Sequence, residues 1–269
     1  MSELGTLDWA RRTGGRLSRR DRLELVRAAM IEQLGMLPRP WRRRLPVDPA
    51  IDLPSRPPDS EVARAAYQRA EEVSSPALLA HCTRTWLFGE LAAGCGGIRH
   101  DEELLYVASI LHDLGLTEAH RAADPRAHCF AVEGAFAAED FLSARDWPAE
   151  RTAAVANAVA LHVNVTVPLE HHGAEAHLLN VGAAIDVVGR GLPGLPRAKV
   201  AEVVERHPRK GFTPQLVAVN KEQAVARPDA RLALMWRLGF RRFIERNPLD
   251  RSSPAQSPVA VCTSYRRCR

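Results

Sequence analysis

Residues 106–116 read Tyr-Val-Ala-Ser-Ile-Leu-His-Asp-Leu-Gly-Leu, an apolar run that ends on an adjacent imidazole and carboxylate. A run such as Val107 to Leu111 belongs in a core, and burying His112 and Asp113 with it is costly unless something pairs with them. A bound cation would offset that cost; a plain His–Asp hydrogen bond in the core is the alternative. Neighbouring residues inside a regular helix point about 100° apart. At a helix end running into Leu114-Gly115-Leu116, however, the backbone can turn both side chains inward.

Working outward, a helix over 101–113 is opened by Asp101, which precedes Glu102 and Glu103. A carboxylate there satisfies free N–H groups and suits the helix dipole. The pair His100-Asp101 is therefore a cap and not a second centre. Upstream, a helix over 76–93 starts at Pro76 and carries His81 among Leu78, Leu79, Trp86 and Leu87. An antiparallel hairpin of the two helices would set His81 beside His112. Downstream, a helix over 174–190 places Leu178, Val181, Ile185 and Val188 on one stripe, and Asp186 interrupts that apolar run. An unpaired carboxylate there would be expensive. Two neutral imidazoles and two carboxylates form a mixed N/O set suited to zinc, iron or manganese, with room left for water.

The rest of the chain is helical in pattern. Ser18 opens an amphipathic helix over 18–36 with Leu23, Val26, Met30 and Leu34 at helical spacing. Helices are expected at 59–73, capped by Asp59 or Ser60, at 129–144 and at 148–162. Shorter ones are expected near 196–206, 215–226 and 229–246. No segment alternates with a period of two, and no internal repeat is present. The expected fold is all-α, a helical bundle with extended termini. Residues 1–58 form an N-terminal helix and a strap holding seven prolines between Pro38 and Pro58. Residues 59–247 are expected to form the main domain, which carries the candidate site. The tail, 248–269, is too poor in apolar residues to fold alone and is expected to be disordered.

Charge and cysteine usage narrow the function. The net charge is +5, yet residues 59–240 hold 18 basic and 23 acidic side chains, and the excess cations sit at the ends. That distribution makes no continuous groove for nucleic acid. Five widely spaced cysteines with no C-x-x-C pair argue for reduced thiols in a cytoplasmic protein. No export signal or stretch of about 20 apolar residues is present, so no membrane is expected. The expected partner is a small-molecule substrate, with self-association left open.

The order His81, His112-Asp113, Asp186 resembles the H…HD…D signature of HD-domain proteins, a helical superfamily of metal-dependent phosphohydrolases and their relatives. Pro76 to His81, Leu87-Phe88-Gly89, residues 106–116 and Asp186-Val-Val-Gly189 are similar to the cyanamide hydratase-like branch, over about residues 59–190, with a weaker echo at Asn247-Pro248. The resemblance implies that His81, His112, Asp113 and Asp186 hold one divalent ion, zinc first, with iron or manganese as alternatives. It implies a hydratase or hydrolase in which water activated by the ion adds to a small nitrile such as cyanamide, with Asp113 or Glu133 moving the proton.

Other residues lie outside that signature. His162 either lines the pocket or is a helix-end imidazolium stabilised by the dipole. With His128 it could hold a second ion, as dinuclear relatives do, although the spacing favours one. Glu133 is read as an acceptor behind the ligands, the alternative being an exposed helix residue. Arg84, on the His81 face, either meets an anionic substrate group or pairs with a surface acid. The runner-up chemistry is phosphate-ester hydrolysis, with Arg84, Arg121 and Arg126 as candidate cations but no glycine-rich phosphate loop. A dinuclear iron oxygenase and a non-catalytic ligand-binding module complete the alternatives. His171 and His172 are read as an exposed loop.

Overall fold

A computed structural model describes residues 3–35, 51–121 and 127–251. Most of the proline-rich strap, Arg126 and the tail from Ser252 onward lie outside the described residues, so the expectations placed on them do too. The described residues are all-α, with no strand. In chain order the helices are α1 (Leu7–Thr13), α2 (Arg19–Gly35), α3 (Glu61–Val73), α4 (Pro76–Gly96), α5 (Glu102–Leu111), α6 (Phe130–Ser143), α7 (Ala149–Leu161) and α8 (Leu169–His172). They continue with α9 (Ala174–Val188), α10 (Arg197–Arg206), α11 (Phe212–Ala226), α12 (Arg231–Arg237), α13 (Phe240–Glu245) and α14 (Pro248–Arg251). Among the described residues, no helix is long and apolar enough to cross a membrane.

Short polar side chains set the helix starts, as their spacing predicts. Ser60, Ser75 and Asp101 accept from the backbone N–H three residues on, at 3.2, 3.2 and 2.9 Å, each satisfying a donor that the first turn leaves free. Asp59 is not the cap of α3; it pairs with Arg64 instead. The layout centres on α4, packed against α9, α5 and α10, while α7 covers α5, α6 and α9. The approach of α4 to α9 is close because Gly182 lies against the Thr85 carbonyl, which a Cβ at Gly182 would meet at 2.1 Å. Gly182→Ala must therefore push the helices apart. The expected cost is about 1–3 kcal/mol, read as a lower urea midpoint with unchanged slope.

Three expectations are corrected. The stripe on α2 does not face the body: Leu23 is 72% and Met30 60% exposed, whereas Leu25 is buried. The face turned inward carries Arg22, Leu25, Ala29 and Glu32, with Arg22 paired to Asp229 at 2.7 Å and Glu32 3.8 Å from Arg190. Ion pairs at both ends of that face fix the rotation of the helix. The single helix expected over 229–246 is two, α12 and α13, broken where Gly239 takes a left-handed φ of 93°. A further helix, α1, was not expected. At seven residues it is too short for periodicity to show, yet it buries Leu7 and Trp9 and packs on α6 and α7, so residues before the strap belong to the core. His171 and His172 form the last turn of the short α8 and do not lie in a loop. Where it is described, the strap lies on the body: Ile51 sits against Gly94, and the Pro54 carbonyl accepts from Arg206 at 2.9 Å.

Candidate metal centre

The pair His112-Asp113 leaves α5 at its last turn. His112 keeps helical angles (φ −62°, ψ −31°), and Asp113 departs from them (φ −103°, ψ 16°) before a 3-10 turn over Leu114–Leu116. The departure brings both side chains inward. Gly115 then passes beneath α6 so closely that a Cβ there would meet the Phe130 carbonyl at 2.0 Å.

Three imidazoles converge on Asp113, and the far nitrogen of each is fixed by an acceptor. Nδ1–H of His112 donates to the Ser109 carbonyl at 2.7 Å and that of His162 to the Val159 carbonyl at 2.6 Å. His81 donates through Nδ1 to Asp186 Oδ2 at 2.7 Å. With the proton held on Nδ1, each neutral ring presents the Nε2 lone pair. Nε2 of His81 and of His112 lie 3.3 Å apart, each 3.4 Å from Asp113 Oδ2, and Nε2 of His162 is 3.5 Å from Oδ1. Two lone pairs at that separation cannot hydrogen-bond to each other, and a cation between them and the carboxylate satisfies all three. His81, His112 and Asp113 thus form a buried group whose ligand atoms lie within 4.8 Å of one another and which could hold a metal ion.

The electrostatics agree with that donor set. Burial pushes the His112 imidazole down to about 3 despite the opposing Asp113 charge, so at neutral pH it keeps its lone pair. Burial alone would raise Asp113, but the facing His112, His162 and His81 outweigh it and hold the carboxyl well below its usual range. The ring of Phe212 stacks on His81 at 4.6 Å between centroids and fixes its plane.

Asp186 is not brought into this group as a ligand. Both its oxygens are engaged: Oδ1 by Arg84 Nε at 2.8 Å and Arg209 Nη1 at 2.6 Å, Oδ2 by Arg84 Nη2 at 2.8 Å and by His81. It stands behind His81 and orients that ring. Arg84 is likewise not placed to meet substrate: it is fully buried, bidentate on Asp186, and its Nη1 donates to the His207 and Pro208 carbonyls. Lying 102 residues from Asp186 in sequence, it is a pairing that helix spacing cannot reveal. Glu133 pairs with Arg227 and does not line the cavity beside the centre. His128 donates its backbone N–H to the Gly14 carbonyl and is not part of the group.

Two further residues of the site, Arg209 and Phe212, carry no signal in the sequence. Asn247 donates through Nδ2 to the Asp186 carbonyl at 2.8 Å. Arg209 and Phe212 sit in an unremarked polar turn and helix start, with no pattern to flag them.

A cavity of about 160 Å³ opens over the group, floored by His81, His112, Asp113 and His162 and walled by α9, α11, α12 and α13. Val163, Ala183, Val187, Leu216, Met235 and Phe243 give it an apolar lining. A scan of family models finds no match to this chain, and a search of curated proteins finds none.

Proposed function

We propose that the chain is a metal-dependent hydrolase or hydratase of the HD type, adding water to a small uncharged substrate such as a nitrile. The observation that supports this reading is the convergence of three imidazoles, each with Nδ1 engaged, on one ionised carboxylate at the floor of an apolar cavity. His81, His112 and Asp113 would hold the ion, zinc first on a two-nitrogen, one-oxygen set. A divalent ion there lowers the pKa of a bound water toward neutrality and so supplies a nucleophile. Asp186 keeps His81 oriented and basic through Nδ1. Adding one water to a C≡N bond gives an amide with no atom lost, but a proton must travel from oxygen to nitrogen. His162, with Nε2 facing Asp113 from the cavity side, is the group placed to carry it.

Phosphate-ester hydrolysis has weaker support. Among the described residues, Arg84 and Arg209 are committed to Asp186, and the one cation lining the cavity, Arg190, donates to the Val165 carbonyl and to Asn180 Oδ1. The test is metal content per chain, by mass spectrometry on protein purified without chelators and then reloaded. One equivalent is expected in the wild type and none in His112→Ala. Two equivalents would mean a dinuclear centre, and none in the reloaded wild type would sink the metal reading in favour of a ligand-binding module.

A further inference from the structure

Among the described residues, the cavity wall holds an uncharged polar side chain whose bonding capacity the protein leaves unused. Asn220, on α11, is only 4% exposed and lines the cavity, and its amide makes no hydrogen bond to any described residue. The other uncharged polar residues of the wall differ. Asn164 accepts from Arg231 at 2.7 Å and donates to the Leu4 carbonyl at 2.8 Å. Asn180 donates to the His162 and Asn164 carbonyls and accepts from Arg190. The Asn220 amide is open to the cavity, not sealed off in the wall, so its donor and acceptor are available to a ligand with matching groups.

The helix that carries Asn220 also reaches the centre. Phe212, Leu216 and Asn220 are spaced by four and share one face of α11. Phe212 stacks on His81, Leu216 walls the cavity, and Asn220 follows about 12 Å along the axis from Phe212. The cavity of about 160 Å³ is close to the roughly 150 Å³ that admits a benzene ring. Among the described residues, its single lining cation, Arg190, is already bonded to the Val165 carbonyl and Asn180, so an anionic group finds no free cation there.

We propose that Asn220 is the specificity-determining anchor of the cavity, pairing its carboxamide with an amide-type group on an uncharged substrate whose apolar body is about the size of one ring. A carboxamide offers donor and acceptor side by side, so the pairing is reciprocal and excludes both hydrocarbons and anions. The proposal rests on reading the cavity as the substrate pocket of the metal centre.

The experiment is calorimetric titration of the zinc-treated full chain with benzamide, toluene and phenyl phosphate, on the wild type, Asn220→Leu and Asn220→Ala. Benzamide is expected to bind the wild type more tightly than phenyl phosphate. It should lose about tenfold or more in affinity in both variants, while toluene binds Asn220→Leu at least as well. Because the amide has no hydrogen-bond partner among the described residues, Asn220→Leu should melt no lower than the wild type; if it does not fold, Asn220→Ala carries the same comparison. Absence of benzamide binding to the wild type, equal affinity in the variants, or preference for phenyl phosphate would overturn the proposal. Zinc is counted in the same samples. Benzamide binding that depends on Asn220 in a chain holding no zinc sinks the metal reading alone, and one zinc with affinity indifferent to Asn220 sinks this proposal alone.

Discussion

Asp186→Ala is expected to lower the stability of the fold by about 3–5 kcal/mol, the cost of removing one partner from a buried charge network. The carboxylate is fully buried and accepts from Arg84, Arg209 and His81, and both guanidiniums are buried with it. Removing it leaves Arg84 with the His207 and Pro208 carbonyls, and leaves Arg209 with the main-chain carbonyl of residue 186, Thr213 Oγ1 and Asp250 at 2.9 Å. The check is urea denaturation monitored by far-UV circular dichroism, with the double variant Arg84→Met/Asp186→Leu beside it. Taking out an arginine together with its carboxylate removes an uncompensated charge, so the double variant should recover part of the loss. A loss below about 1 kcal/mol in Asp186→Ala would mean the network is no better than a solvated surface pair.

The same residue sets an acid limit. Burial raises its pKa, but Arg84, His81 and Arg209 outweigh that and hold the carboxyl far below the ordinary value. A depressed folded pKa means stability fully present above the unfolded value of about 3.9 and lost progressively as pH falls below it toward the folded value. The wild type should therefore lose stability in acid more steeply than Asp186→Asn, which has no such proton to take up.

These residues also show where sequence reading stops. The helices were legible because serine, aspartate and proline mark their starts locally, and the hairpin of α4 and α5 follows from two apolar runs joined by a short connection. His81, His112, Asp113 and Asp186 stood out because each interrupts a run that has to be buried. Whether Asp186 holds an ion or a histidine was not legible. That depends on which cations reach it, and Arg84 and Arg209 arrive from 102 and 23 residues away. The rotation of α2 was lost for the same reason, since Asp229, which pairs with Arg22, lies 207 residues away. Asn220 was invisible because one amide on a helix face carries no pattern; its meaning comes from what surrounds it and fails to bond it.

His162→Ala is expected to lower the proposed turnover without emptying the centre, and it separates two roles that the geometry sets side by side. The ring is held by its Nδ1–H on Val159, packs edge-on to His112 at 4.8 Å between centroids, and presents Nε2 to Asp113 Oδ1 at 3.5 Å. It belongs to the cavity floor but not to the group whose ligand atoms cluster within 4.8 Å. A residue that moves a proton, and does not hold the ion, can be removed without emptying the centre. On the proposed function, His162→Ala should keep one equivalent of metal while kcat for the proposed nitrile hydration falls by about 10²–10⁴, the range for losing a positioned acid or base. KM should change little, because Ala keeps the apolar wall and the lost group acts on the reacting proton. Free imidazole should restore part of kcat, since the truncation opens a ring-sized space at the place where the nitrogen is needed. Loss of the metal together with kcat would make His162 a ligand and give the centre three nitrogens, whereas an unchanged kcat would take it off the proton path and leave Asp113 as the only ionised group on the floor able to carry the proton.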